Sequence, residues 1–166
     1  TKYRFSKKTA LALEARIRLY RSEWEQALNL AEELIPTCSL EDFNDPQVTL
    51  PYEKSSKESL MNLEKIVGSS DVRDLYVLPE YMSKYKDGDL RPAKFFTKDG
   101  EYYKLMKGNG DNLKVSFRGA EIYLIAAEAA AHVDGKLDLA KTRLKVLMEK
   151  RLTPELYARS EEHTSE

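Results

Sequence analysis

One cysteine, one tryptophan and two histidines stand among 166 residues. The lone cysteine, Cys38, excludes an internal disulfide and leaves the redox compartment unread. The histidines, His132 and His163, lie far apart, which excludes the paired Cys/His ligand sets of zinc sites, so neither a metal nor another cofactor is expected. No run reaches the ~18 apolar residues of a membrane-spanning helix. The longest, from Ile122 to Val133, is interrupted by Glu128 and His132. Charge of one sign is also lacking: 27 Lys and Arg face 28 Asp and Glu. A near-neutral chain has no global field to hold nucleic acid or an anionic membrane surface. A secretion signal is not visible, and the chain opens at Thr1 without an initiator Met, so it is read as processed or truncated.

What is present is ordinary for a globular chain of about one domain: 42% apolar and 33% charged residues, with length enough to bury roughly two-thirds of the unfolded surface. A first helix is expected over Lys7 to Arg21. Ser6 stands where an N-cap hydroxyl can accept from a free backbone N–H, and the Ala/Leu-rich run Thr9 to Ala15 favours helix. Ser22-Glu23-Trp24-Glu25 fits a capping box opening a second helix. Its stripe is Trp24, Ala27, Leu28, Ala31, Leu34 and Ile35, and Pro36 stops it. With almost no loop between them, the two helices should form an antiparallel hairpin.

Residues 37–54, with Pro46, Pro51, Asn44 and Asp45, read as irregular loop. Ser55 to Glu58 repeats the capping-box pattern, and Leu60, Leu63 and Val67 follow at helical spacing, so a helix is expected over 56–67, ended by Gly68-Ser69-Ser70. Another short helix is expected from Pro79 to Tyr85, with proline in the first position, and Asp87-Gly88 marks a turn. Lys94 to Thr97, the turn Lys98-Asp99-Gly100, and Glu101 to Leu105 predict a β-hairpin, because Asp-Gly supplies the positive φ that tight hairpin turns need. Lys107 to Asn112 reads as a plain loop, lacking the Gly-Lys-Ser/Thr ending of a phosphate loop.

A third long helix is expected over Phe117 to Val133, closed by Gly135 as a left-handed C-cap. A fourth begins near Asp138 as N-cap, carries Leu137, Ala140, Leu144, Leu147 and Met148, and ends by Arg151 and Pro154. The tail, Arg159 to Glu166, is polar and expected to fray. The two helix pairs resemble each other: an Ala/Leu-rich helix, a tight turn, then Trp24 and Ala27 in one pair, Leu137 and Ala140 in the other. Small residues suit a close helix crossing, and large ones fill the groove. This is the pattern of a tetratricopeptide unit. The fold class expected is therefore mostly α, tetratricopeptide-like helical hairpins with a loop-rich insertion and one small β-hairpin. The divisions are 1–36 and 117–152 for the helix pairs, 37–116 for the insertion and 153–166 for the tail, all one domain of a larger protein.

Three stretches resemble the SusD/RagB-like family of outer-membrane nutrient-binding lipoproteins. The first runs from Thr9 to Ile17 and on through Trp24, Ala27, Ala31 and Ile35. The second is Asp89-Leu90-Arg91. The third, Phe117 to Ala129, matches the family's Arg-x-x-Glu-x-Tyr-Leu-x-x-Ala-Glu-Ala pattern at Arg118, Glu121, Tyr123, Leu124, Ala127, Glu128 and Ala129. The family's lipid-bearing N-terminal Cys and its further C-terminal segment are not found. The resemblance implies a non-enzymatic protein. It would be lipid-anchored at the cell surface in the outer membrane, bind an oligosaccharide or other nutrient, and deliver it to a TonB-dependent outer-membrane transporter. It also implies structural roles for Arg118, Glu121, Tyr123 and Glu128, with Arg118 and Glu128 tying their helix to neighbouring segments. The second reading is a tetratricopeptide interaction module gripping a peptide partner.

No catalytic residues are assigned, because no pair of carboxylates or nucleophile–base set is legible. For ligand contact the candidates are Tyr52, in a Pro-rich loop, and Tyr102 and Tyr103, which point to opposite faces of the expected hairpin. Cross-strand pairing with Phe95 or Phe96 would account for the last two equally well. Arg118 and Glu121, three apart, could pair on one helix face. Trp24 is read as a plug between two helices, and His132 as a solvated or packed side chain. Asp87, Asp89, Asn109 and Asp111 carry oxygens suited to Ca²⁺ but lack the twelve-residue loop pattern.

Overall fold

The computed structural model describes residues 4–53, 55–62, 76–106 and 116–162. The first helix, α1 (Lys7–Tyr20), is capped as expected: the Ser6 hydroxyl accepts from the Thr9 N–H at 3.3 Å. The second, α2 (Trp24–Leu34), starts one residue later than the capping box implies. Ser22 adopts φ 58°, its N–H donates to Leu19 O and the Glu23 N–H donates to Arg18 O. That is a Schellman closure of α1. Ser22 is thus consumed as the left-handed residue ending one helix and cannot cap the next. Glu23 stands at the cap without a side-chain cap bond and pairs instead with Arg18 and Arg21. Pro36 sits inside a 3₁₀ turn, Ile35–Thr37, that extends α2.

The Ala-rich helix α5 (Gly119–Ala131) begins after, not at, Phe117, because Ser116–Arg118 form a strand. The next helix, α6, spans Leu137–Glu149. Asp138 lies in its first turn rather than at the N-cap, where its charge still meets the positive helix end. Gly135 takes φ 72° in the turn between them. Of the expected frayed tail, Arg159 to Glu162 belong to α7 (Pro154–Glu162), which Pro154 opens rather than blocks; residues 163–166 lie outside the described residues.

Helices α1, α2, α5 and α6 pack in that order, each on the next. So α2 and α5 meet as if consecutive, although some eighty residues of sequence lie between them in order-of-magnitude terms. The seam is lined by Ala12, Ala15, Ala27, Ala31, Ala126, Ala129 and Ala130, all fully buried. Small side chains let the axes approach, and Leu34, Ile122 and Ile125 fill what remains. Two bidentate ion pairs tie each helix to the next but one: Arg16 of α1 to Glu121 of α5, and Glu32 of α2 to Arg143 of α6. Each raises the pKa of its arginine, chiefly through the hydrogen bonds that the guanidinium donates to the carboxylate.

The insertion departs most from expectation. Over 59–62 the expected helix is strand β1 (Ser59–Asn62), preceded by turns; residues 63–67 and the Gly-Ser-Ser stop lie outside the described residues. Its partner is β5 (Ser116–Arg118), antiparallel, with Met61 opposite Phe117 and an irregularity between Ser59 and Met61. A three-stranded sheet follows the order β2-β4-β3, with β2 at Tyr76–Val77, β3 at Phe96–Asp99 and β4 at Tyr102–Leu105. The expected hairpin is β3-β4, with Gly100 at φ 61°. Its first strand starts at Phe96, since Lys94 and Phe95 belong to a short helix, α4 (Arg91–Phe95). The helix after Pro79, α3 (Pro79–Met82), is one turn, shorter than expected.

The insertion leaves and re-enters the array at one place. A Cβ on Gly119, at the start of α5, would lie 2.6 Å from Ser39 O and 3.3 Å from the Cys38 Cβ. Only glycine permits that approach. Cys38 is half-buried there, and burial pushes its thiol pKa up.

Candidate functional site

The strands of the three-stranded sheet place aromatic side chains outward. In β4, Tyr102 is 46% exposed, opposite Asp99 of β3. Beside it stands Tyr76 of β2, also 46% exposed, with the two rings edge to face at a centroid distance of 6.0 Å. The Tyr76 hydroxyl donates to Asp99 Oδ2 at 3.2 Å, and the Lys104 ammonium lies 5.9 Å from the Tyr76 ring. Two exposed tyrosine edges with a carboxylate and an ammonium nearby offer a ligand flat apolar faces and both hydrogen-bond polarities. Tyr103 is half-buried, opposite Lys98 and Val77. The cross-strand partners of Tyr102 and Tyr103 are therefore not Phe95 or Phe96.

Tyr52 is not on this face. It is 7% exposed, packs near Phe95 and donates its hydroxyl to Lys94 O; burial raises its pKa. Its ring is closed to a ligand in this conformation. Tyr76 went unnoticed in sequence because a two-residue strand has no periodicity to read. Tyr81, in α3, is 57% exposed under the Lys84 ammonium.

A second concavity, of about 590 Å³, lies where α5, α6 and α7 face the insertion. Its depth holds the buried pair Arg151–Glu58, at 2.7 Å and 8% and 0% side-chain exposure. Glu58 Oε2 also accepts from the Glu41 N–H, and Arg151 donates to Glu41 O and lies over the Phe43 ring. Arg151 thereby clips the insertion to the end of α6. Glu58, read in sequence as a helix-capping residue, is this buried partner instead. Its other oxygen, Oε1, has no hydrogen-bond partner among the described residues. The Asp89–Arg91 pair lines the same cavity. Three hydrogen bonds link the two side chains and a fourth joins the Arg91 N–H to Asp89, so Asp89 is engaged and Arg91 has a raised pKa.

The motif residues on α5 separate. Glu121 pairs with Arg16 of α1, not with Arg118. Arg118 lies in β5, opposite Ser59, and its side chain lines the cavity without an ion pair among the described residues. Tyr123 packs partly buried on the core, and burial raises its pKa. Glu128 is exposed beside the Arg16–Glu121 pair. Asn109 and Asp111 lie outside the described residues, and among the described residues no three His, Cys, Asp or Glu side chains gather to hold a metal.

No family model and no curated protein matches the sequence. Solved structures do. A SusD superfamily protein from Bacteroides thetaiotaomicron aligns with a TM-score of 0.76 at 17% identity, over 93% of this chain and 43% of its own. One from Bacteroides vulgatus gives 0.72 at 21%, over 91% and 42%. A SusD-like carbohydrate binding protein from Bacteroides vulgatus gives 0.65 at 19%, over 92% and 39%. The chain spans about two-fifths of the length of these structures, and along nearly all of its own length its fold is like theirs.

Proposed function

We propose that the chain serves non-enzymatic carbohydrate binding. The observation that carries this reading is the exposed Tyr76–Tyr102 pair with Asp99 of β3 beside it, on a fold shared with a SusD-like carbohydrate binding protein. Tyrosine faces pack on the C–H side of a pyranose ring, and the adjoining carboxylate accepts from its hydroxyls. The residues 1–36 and 117–152 act as the rigid array, and the insertion 37–116 presents the contact surface, as loops on rigid scaffolds commonly do. Glu121, Tyr123 and Glu128 then serve the scaffold, while Arg118 lines the cavity. On the same reading, supported by the Arg118-to-Ala129 motif, the whole protein is lipid-anchored at the outer membrane and passes its ligand to a TonB-dependent transporter.

The test is glycan-array binding followed by calorimetry on the purified chain, with Tyr76→Ala and Tyr102→Ala. Binding of an oligosaccharide that weakens about tenfold in either variant supports the reading, since stacking on one ring is worth ~1 kcal/mol or more. Binding untouched by both substitutions removes the sheet from the site.

A further inference from the structure

The cavity between α5, α6, α7 and the insertion is charged unlike the rest of the molecule. Six cationic side chains line it, Lys84, Lys86, Arg91, Arg118, Arg151 and Arg159, against two carboxylates, Glu58 and Asp89. The chain as a whole carries a net charge of −1. Both carboxylates are already matched, Glu58 by Arg151 and Asp89 by Arg91. Among the described residues Lys86 and Arg118 have no ion pair, Lys84 lies against the Tyr81 ring, and Arg159 donates to the Glu155 carbonyl. Four cations therefore face one concavity without a carboxylate partner among the described residues.

The walls of the concavity are aliphatic, with Leu124 and Leu144 47% and 42% exposed and Phe95 also in the lining. Glu58 is fully buried and held by Arg151, so it is closed to an occupant. An occupant must thus carry negative charge and apolar faces together.

The geometry points to an acidic saccharide in this cavity: a uronate or sulfated sugar whose ring packs on Leu124 and Leu144 and whose acid groups meet Arg118 and Arg159. This deepens, and rests on, the carbohydrate reading above, and adds selection for charge that the tyrosine face does not provide. A guanidinium offers paired donors to a carboxylate or sulfate, in bonds about twice as strong as neutral ones. The cavity's size is within the range that encloses a small ligand.

The experiment is calorimetry at low and moderate salt with three probes: oligogalacturonate, the same oligomer fully methyl-esterified, and chondroitin sulfate fragments. Tripolyphosphate serves as a sugar-free polyanion. The expected result is that an acidic probe binds about tenfold more tightly than the methyl ester. That preference should shrink with salt and disappear in Arg118→Glu/Arg159→Glu. Circular dichroism confirms folding, and Lys84→Glu/Lys86→Glu, at exposed positions, gives an independent charge change. Equal binding of acid and ester overturns the acidic selection and leaves the carbohydrate reading standing. Tripolyphosphate binding as tightly as the sugars, with the same arginine dependence, overturns the saccharide assignment. Binding by none of the four probes overturns the proposal outright.

Discussion

Trp24 and His132 stack face to face, their ring centroids 4.1 Å apart and their planes 14° from parallel. Trp24 opens α2 and His132 closes α5, so the stack joins the turn of one helix pair to the turn of the other. Trp24 is the only tryptophan, so its emission reports this contact alone. Removing the imidazole in His132→Ala should move the emission to longer wavelength and cost about 1 kcal/mol in denaturant unfolding. An unchanged spectrum would mean the rings are apart in solution.

Gly119 sets a second expectation. Its Cβ position lies 2.6 Å from a backbone oxygen, closer than real carbon contacts come. Gly119→Ala therefore forces α5 away from Ser39, at a cost of about 1–3 kcal/mol by chemical denaturation, although alanine is the better helix former. A neutral or stabilising outcome would contradict the tight passage.

The Arg151–Glu58 pair is the sharpest stability test. Either single change, Arg151→Met or Glu58→Gln, strands a buried charge and should cost about 3–5 kcal/mol. The double variant should cost less than the sum, because neither group is then left unmatched. Strict additivity in urea titrations would show that the two groups do not act together.

Acid should loosen the α1–α2 turn. The Arg18 hydrogen bond, with Arg21 adding its charge, holds the Glu23 carboxyl below the usual 4.5. A carboxyl depressed in the folded state binds fewer protons there than when unfolded. Its contribution is complete above pH 4.5 and lost as pH falls through the lower folded value. Melting temperatures of the wild type and Arg18→Met should differ at neutral pH and converge as the pH is lowered. A constant gap down the titration would assign the effect to packing.

The helical array was legible because its signals are local. Ala27, Leu28, Ala31 and Leu34 repeat at helical spacing and are all buried. The boundaries failed where two local rules compete for one residue: Ser22 fits an N-cap, yet closes the helix before it. β1 failed for a different reason. Its pairing partner lies near Phe117, and no local window contains both strands, whereas Leu60 offered a helical spacing nearby. Of the site, Tyr102 was visible as an aromatic in a hairpin, but its neighbour Tyr76 is brought by a two-residue strand. Arg118, Arg151 and Glu58 converge from three distant parts of the chain, and only the fold shows that they share a cavity.

The shared doorway at Ser39 and Gly119 makes the insertion behave like a cassette. Because both ends are held at one point of the array, the span between them can lengthen or shorten without moving a helix. Doubling such a loop costs only ~0.6 kcal/mol in closure entropy. Ligand preference can then be rewritten by exchanging the cassette while the alanine-lined seam stays as it is, provided Gly119 remains glycine and a carboxylate is kept for Arg151.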